Sequence, residues 1–293
     1  MVGQRGWSYR AVIVLFLAPS LIPLVLFTVS PMFAALGLSL VRWNLLGPPE
    51  FAGLDNYARL LGDADFRGAV VNTIVFVAGY LPLVIVGGMI IALALNQRLR
   101  GLTILRTAYF LPVVTSWVVV ALMWRWLLDP GAGVVNHALG LVGIDGPGWY
   151  NDPVWAMPSV IVASAWKDLG FVMVILLAGL QAIPNEYYEA ASVDGAGRWT
   201  RFLHITLPLL TPSLFFVLVI SLINNLQVFD QVWVMTRGGP AGATSVVVEQ
   251  IVTSAFRYGQ MGYAAAMSWL FFVVLLGITI IQFRLQRRWV HYG

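Results

Sequence analysis

The chain has 293 residues, of which 59% are hydrophobic and only 10% charged, with a formal net charge of +4 and no cysteine; its mean hydropathy is +0.83. Soluble domains carry about 25% charged residues, so this composition excludes a disordered chain and an ordinary water-soluble enzyme, and points to an integral membrane protein. The lack of cysteine excludes disulfides and Cys-ligated metals, and the single lysine, Lys167, precedes Asp168, so no GxxxxGK[ST] phosphate loop exists and any ATP must be bound by another chain.

Charged residues fence the chain into long uncharged runs, and a helix crosses the hydrocarbon core with about 20 apolar residues. The spacing predicts six spans. The first, about 11–38, has an apolar stretch far beyond the roughly 7–15 residues of a cleaved signal peptide, so it reads as a retained helix. Pro19, Pro23 and Pro31 are expected to kink or break it, which membrane helices tolerate. Phe51 to Tyr57 then read FAGLDNY. The second span, about 69–95, includes Asn72-Thr73. The third, about 107–127, ends at Trp124-Arg125-Trp126, where Arg125 reads as an interfacial anchor rather than a ligand contact.

The fourth span, about 160–182, contains Lys167 and Asp168 and ends in Leu177-Ala178-Gly179-Leu180-Gln181. Charges inside a membrane cost about 2.5–3.5 kcal/mol each on insertion scales. Two readings stand: these residues line a substrate path, or they brace another helix. The segment about 183–207 comes next: Ile183-Pro184-Asn185-Glu186-Tyr187-Tyr188-Glu189-Ala190-Ala191-Ser192-Val193-Asp194-Gly195-Ala196-Gly197-Arg198-Trp199, then Phe202 and Ile205-Thr206-Leu207-Pro208. Pro184 suits a first helical turn, and Glu186 and Glu189 suit the positive end of a helix dipole. Ala190 and Ala191 leave a flat face. Asp194-Gly195 signals a turn, with Asp194 able to cap the second helix of the segment. That helix is expected over 196–205, ending at Leu207-Pro208 and Pro212.

The fifth span, about 208–228, ends in Asn224, Asn225 and Gln227, with Asp230 just beyond. Because spans four and five run in opposite directions, these residues can share a depth with Lys167 and Asp168. Trp166 and Trp233 could offer apolar faces to a bound molecule, but interfacial anchoring explains them as well. The sixth span is about 262–283.

Charge asymmetry sets orientation. With a cytoplasmic N-terminus, the inner segments hold ten bases: Arg5, Arg10, Arg98, Arg100, Arg106, Arg198, Arg201, Arg284, Arg287 and Arg288. They hold three acids, Glu186, Glu189 and Asp194, and the outer loop 128–158 has three acids and no base. No basic aromatic patch or nucleic-acid module appears. His137, His204 and His291 are dispersed, so a histidine metal site is not expected.

The 183–207 segment resembles the EAA loop of binding-protein-dependent ABC importer permeases. Glu189-Ala190-Ala191, Asp194-Gly195-Ala196, Phe202 and Ile205-Thr206-Leu207-Pro208 match that loop at the right spacings. FAGLDNY, Asn72-Thr73, LAGLQ, Phe229-Asp230, Thr236-Arg237-Gly238-Gly239-Pro240 and Tyr258-Gly259-Gln260-Met261-Gly262-Tyr263-Ala264-Ala265-Ala266 resemble the sugar-permease branch, nearer its MalF-type than its MalG-type half; Arg237 stands where that branch usually has glycine. The resemblance covers nearly the whole chain and lacks the large insertion of the enterobacterial maltose subunit.

The resemblance implies an all-α polytopic protein with the type I ABC importer permease fold: a single transmembrane domain over 1–293, six helices and both termini cytoplasmic. It implies a bacterial or archaeal cytoplasmic membrane, a second MalG-like permease, two copies of an ABC ATPase and an extracytoplasmic solute-binding protein. ATP and magnesium would be bound by the ATPase, and this chain would hold no cofactor. The family's coupling role maps onto Glu189 as polar contact, Ala190, Ala191 and Ala196 for close approach, Gly195 for the turn and Asp194 as a brace. The expected cargo is a sugar or polyol, with glycerol-3-phosphate or its diesters as the alternative. A stand-alone channel or secondary transporter and a membrane enzyme are the competing classes, the latter without a Cys nucleophile or an acidic metal cluster within a span.

Overall fold

The computed structural model describes residues 7–97 and 100–289. Arg5, Arg98 and His291 lie outside the described residues. Helices dominate, and the one sheet among the described residues is a two-stranded hairpin. Four helical stretches are long and apolar enough to cross a bilayer: Val12–Ser39, Ala64–Leu95, Ala156–Ala182 and Met261–Gln286. Two bent pairs also reach that length together: Leu102–Val114 with Trp117–Leu127, turning by 102°, and Arg198–Leu209 with Thr211–Leu226, turning by 62°.

The first stretch does not break at its prolines. Helix α1 (Trp7–Leu24) contains Pro19 and Pro23, a π-helical turn spans Val25–Val29, and α2 (Ser30–Ser39) has Pro31 in its first turn. Between Val12 and Leu38 no described residue is buried, as suits a helix that is apolar on all sides and faces lipid.

The third and fifth expected spans are not straight. Helix α5 (Leu102–Val114) stops where Thr115 and Ser116 become extended, and α6 (Trp117–Leu127) restarts in a new direction. Pro112 removes a backbone donor from the last turn of α5. The second bend falls between Pro208 and Pro212. Pro212 cannot donate to the Pro208 carbonyl; the Thr211 hydroxyl does so instead, at 2.6 Å. After the short helix α7 (Val134–Leu141), the fourth span starts at Ala156 rather than near 160.

The chain divides into two compact units. One lies within Met1–Asp63 and Ile251–Phe272. Strands β1 (Val41–Arg42) and β2 (Glu50–Phe51) pair antiparallel, Val41 opposite Phe51. Helix α3 (Asp55–Gly62) comes after them. Its buried Asn56 donates to the Ser39 and Val41 carbonyls at 2.8 and 2.9 Å, tying the FAGLDNY segment to the end of α2. Arg59 lies over the Tyr263 ring at 4.2 Å, and the Tyr263 hydroxyl donates to Asp63.

The second unit lies within Ala64–Gln250 and Val273–Gly293. It is built on α4 (Ala64–Leu95) and α8 (Ala156–Ala182). A side chain at Gly79 would meet Ile161 at 2.8 Å, one at Gly87 would meet Leu169 at 2.6 Å, and one at Gly88 would meet Val172 at 2.5 Å. The rising pairs show that α4 and α8 run parallel, held close by missing side chains. Gly170 faces the Tyr109 carbonyl of α5, and Gly179 faces Ser213 of α12 (Thr211–Leu226). Lys167 meets Val113, and Tyr80 meets Asp168. Thus α5 runs antiparallel to α8, and so does α12, because Asn225 of α12 lines one cavity with Asp168 while Ser213 lies by Gly179. Asn72 donates to the Gly242 and Ser245 carbonyls, each at 2.9 Å, and Thr73 accepts from the Val247 amide at 3.1 Å. The Asn72-Thr73 pair therefore anchors the 242–247 loop.

Candidate functional site

Helices α8 and α12 carry polar residues that their apolar surroundings make expensive to bury alone. They meet in a cavity of about 310 Å3 lined by Trp117, Asp168, Asn224, Asn225, Gln227, Asp230 and Gln231. Five of the six residues expected on a substrate path therefore share one space, at the lower end of the volume range of small-molecule sites. Asn225 is buried and donates to the Ser221 carbonyl of the preceding turn at 3.0 Å. Asn224, Gln227 and Asp230 are exposed. Asp168 accepts from the Tyr80 hydroxyl at 2.8 Å.

Lys167 departs from the expectation. It is 6% exposed and does not line the cavity. Its ammonium donates to the Val113 carbonyl at 3.0 Å and lies 4.9 Å from the centre of the Trp117 ring. The break after Val114 frees the last carbonyls of α5, and a cation at a helix C-terminus is favourable there. Lys167 thus braces the broken helix, and the Trp117 ring it meets is itself part of the cavity wall.

Trp166 packs edge-on against Trp124 at 5.9 Å, and Trp233 stacks on Phe229 at 5.5 Å; neither lines the cavity. Tyr80, Trp117 and Gln231 escaped sequence reasoning. Tyr80 could have been found, as the one phenol in the uncharged 68–97 run. Nothing local marked Trp117.

The second candidate region lies beyond the end of α8. Helix α9 (Asn185–Val193) ends with Asp194 at its C-cap and Gly195 at φ +76. The Ala196 amide reaches the Ala191 carbonyl at 2.8 Å and the Gly195 amide reaches Ser192 at 3.2 Å. This pair closes the helix through a left-handed glycine. Asp194 does not cap the next helix: Gly197 holds the N-cap of α10 (Arg198–Arg201). Pro184 is extended and precedes α9 rather than forming its first turn. The second helix runs past residue 205, through a π-helical turn at Phe202–Thr206 into the short helix α11 (Leu207–Leu209).

Two hydrogen bonds hold the hairpin arms together: Arg201 to the Ser192 hydroxyl at 2.8 Å and Tyr188 with Thr206 at 3.0 Å. Glu189, Ala190, Asp194 and Gly195 are exposed; Ala191 and Ala196 are half-buried. Val193 is 89% and Trp199 70% exposed. Exposed apolar groups on a rigid polar hairpin suit contact with another protein.

Two continuous helices connect the two regions. Asp168 precedes the end of α8 by 14 residues, and Asn225 lies 14 residues after the start of α12, so each helix spans about 21 Å between cavity and hairpin.

A third feature is the loop after α6. Asp129 accepts from the Gly131 and Ala132 amides at 3.0 and 2.8 Å and from the Tyr150 hydroxyl at 3.1 Å. The Ala132 and Gly131 amides hold its carboxyl below the usual carboxylate range, with help from Tyr150. Desolvation first, then Asp129, pushes the Tyr150 phenol up. Arg125 donates to the Val234 carbonyl at 3.2 Å and covers the Tyr150 ring at 5.3 Å, so it ties α6 to the 230s rather than simply anchoring at an interface. No group of three or more His, Cys, Asp or Glu that could hold a metal occurs among the described residues.

Residues 84–291 match the family described as binding-protein-dependent transport system inner membrane component. The chain is 40% identical over 282 residues to the probable ABC transporter permease protein YesP of Bacillus subtilis, covering 94% of this chain and 91% of that one. It is 35% identical over 274 residues to the trehalose/maltose transport system permease protein MalF of Thermococcus litoralis, covering 93% and 92%. Its fold superposes with a TM-score of 0.84, at 26% identity and over 98% and 97% of the two chains, on a chain of a bacterial alginate ABC transporter crystallised with an alginate pentasaccharide-bound periplasmic protein.

Proposed function

The chain belongs to the binding-protein-dependent transport system inner membrane components, and from that premise we propose that it is the MalF-like half of the membrane pathway of an ATP-driven sugar importer. It is a permease with the type I ABC importer fold. One observation carries the finer reading: α8 and α12 join a polar cavity directly to an exposed helical hairpin. A hairpin moved by an ATPase would displace both rods, and so the walls of the cavity.

In this reading the chain crosses the cytoplasmic membrane six times, with both termini inside. The antiparallel run of α5 and α12 against α8 supports alternating crossings, and each bent pair counts as one. The hairpin docks on one of two copies of an ATPase, which bind ATP and magnesium; this chain holds no cofactor. Val193 and Trp199 supply apolar anchors, Glu189 a polar contact, and Gly195 the turn. A second MalG-like permease completes the path, and a solute-binding protein delivers cargo at the far end.

The cavity favours an uncharged, hydroxyl-rich cargo. Its amides and carboxyl oxygens can pair with many hydroxyls, whereas no lysine or arginine among the described residues lines it. Lys167, the cation expected on the path, is engaged by Val113 instead. Glycerol-3-phosphate or its diesters stand as the alternative cargo.

Reconstitution with its ATPase, second permease and binding protein provides the test. Neutral sugar should accumulate in vesicles only with ATP, and Glu189→Lys or Gly195→Pro should abolish uptake while the protein still inserts. Undiminished ATPase binding and uptake in both variants would sink the coupling assignment. Uptake by this chain without any ATPase would favour a stand-alone transporter.

A further inference from the structure

A second cavity, of about 480 Å3, is lined by Arg125 and Tyr150 and by Thr236 and Arg237. No acidic residue among the described residues lines it. Neither guanidinium lies within ion-pair distance of a carboxylate among the described residues. Arg125 is half-buried, uses one donor on the Val234 carbonyl and also engages the Tyr150 hydroxyl; a guanidinium has five donors. Tyr150 sits under it, fixed by its own bond to Asp129, whose carboxyl is taken up by Tyr150 and two backbone amides. Arg237 is exposed and holds φ +51, a left-handed backbone that favours glycine. An arginine kept in a strained setting points to a use for its side chain.

Two guanidiniums facing one space without a carboxylate suit a planar oxyanion held by paired hydrogen bonds. We infer that this cavity receives a carboxylate side chain of the solute-binding protein, and that it is a docking socket rather than a station on the cargo's path. The inference rests on the proposed reading that this end of the permease meets that protein. The neighbouring cavity decides between a protein carboxylate and a free anionic solute. Helix α13 (Asp230–Met235) separates the two spaces. Asp230 lines the first cavity and Met235 the second, five residues or about 7.5 Å apart along the helix. An anionic solute leaving the arginines would enter a space lined by Asp168 and Asp230, with no base among the described residues there. A stationary carboxylate faces no such step. Held between α6 and the end of α13, it would fix the helix that carries Asp230, so docking would be sensed at the cargo site.

The test uses the complete transporter in nanodiscs of neutral lipid, titrated with the fluorescently labelled solute-binding protein at 50 and 300 mM salt. Complexes are selected by co-purification of the ATPase. Wild type should bind more weakly at high salt. Arg237→Gln and Arg125→Gln should each weaken binding about tenfold at low salt, and the pair should remove most of the salt dependence. Arg125→Lys should restore part of the affinity. If Arg125→Gln fails to assemble, the exposed Arg237→Gln decides alone. Wild-type affinity and salt dependence in the variants would overturn the proposal. So would arginine variants that bind the solute-binding protein normally yet lose uptake, which marks a station for an anionic solute, or a requirement for phosphatidylglycerol, which marks a lipid site. A wild-type complex that binds no solute-binding protein at all would instead overturn the permease reading itself.

Discussion

The Tyr80 hydroxyl donates to Asp168 Oδ2 at 2.8 Å, joining two parallel helices at the wall of the polar cavity. Tyr80 is 1% exposed and stacks on Phe76 at 5.9 Å, so its ring is fixed. The bond holds one carboxyl oxygen of Asp168 and leaves the other for cargo. Tyr80→Phe keeps the ring and loses the donor. A hydrogen bond to a charged group contributes about 1.5–3 kcal/mol, and part of that should appear as a KM for uptake raised about tenfold, with Vmax little changed. Concentration-dependent uptake measures this; an unaltered KM would remove Asp168 from the cargo site.

Lys167 and Asn225 separate bracing from binding. Lys167→Met leaves the Val113 carbonyl without its cation, so α5 should loosen and the detergent-solubilised protein should unfold at lower temperature. Asn225→Ala should instead raise KM with the melting temperature nearly unchanged. Paired thermal and uptake measurements check the split. A Lys167→Met protein with normal stability and weakened uptake would return the lysine to the path.

Gly170 allows α5 to lie against α8. A Cβ there would sit 2.1 Å from the Tyr109 carbonyl oxygen, a backbone atom that cannot step aside alone. Overpacking costs about 1–3 kcal/mol, so Gly170→Ala should lower the melting temperature. Gly277→Ala, with open space around its Cβ, is the control and should not.

Asp129 supplies a pH-dependent tie in the loop after α6. Because its carboxyl is held below the usual range, the stabilisation is fully present above the ordinary aspartate value of about 3.9 and is lost as pH falls through the depressed folded value. Asp129→Asn removes the charge at every pH. The gap in melting temperature between wild type and Asp129→Asn should therefore be open at pH 7 and close as the pH is lowered into that range. A gap independent of pH would show that the charge does not act.

The membrane class, the long apolar helices and the helical hairpin after α8 were legible because each depends on local pattern. Apolar length marks a span, and Glu189-Ala190-Ala191 with Asp194-Gly195 marks a helix, a left-handed turn and a close approach. The gathering of Asp168 with Asn224, Asn225, Gln227 and Asp230 could be read from antiparallel adjacency and their rarity in apolar runs. The roles of Lys167 and Trp117 were hidden, because both depend on the break after Val114. No proline or glycine occupies Thr115-Ser116, so an uncharged run looked like one helix. The bend at Leu210 was similarly masked, since Thr211 repairs the bond that Pro212 removes. Arg125 looked like an anchor because its partner, the Val234 carbonyl, lies 109 residues away.

The central claim, that the hairpin moves the cavity through α8 and α12, is tested most directly by alkylation of a single cysteine at Asn224. The chain has no native cysteine to interfere. In the assembled transporter, an impermeant maleimide should reach Asn224→Cys from one face of the membrane without nucleotide and from the opposite face when ATP is bound. Adding Gly195→Pro should freeze the first pattern. Labelling from the same face in every state, with the ATPase bound and active, would contradict the account.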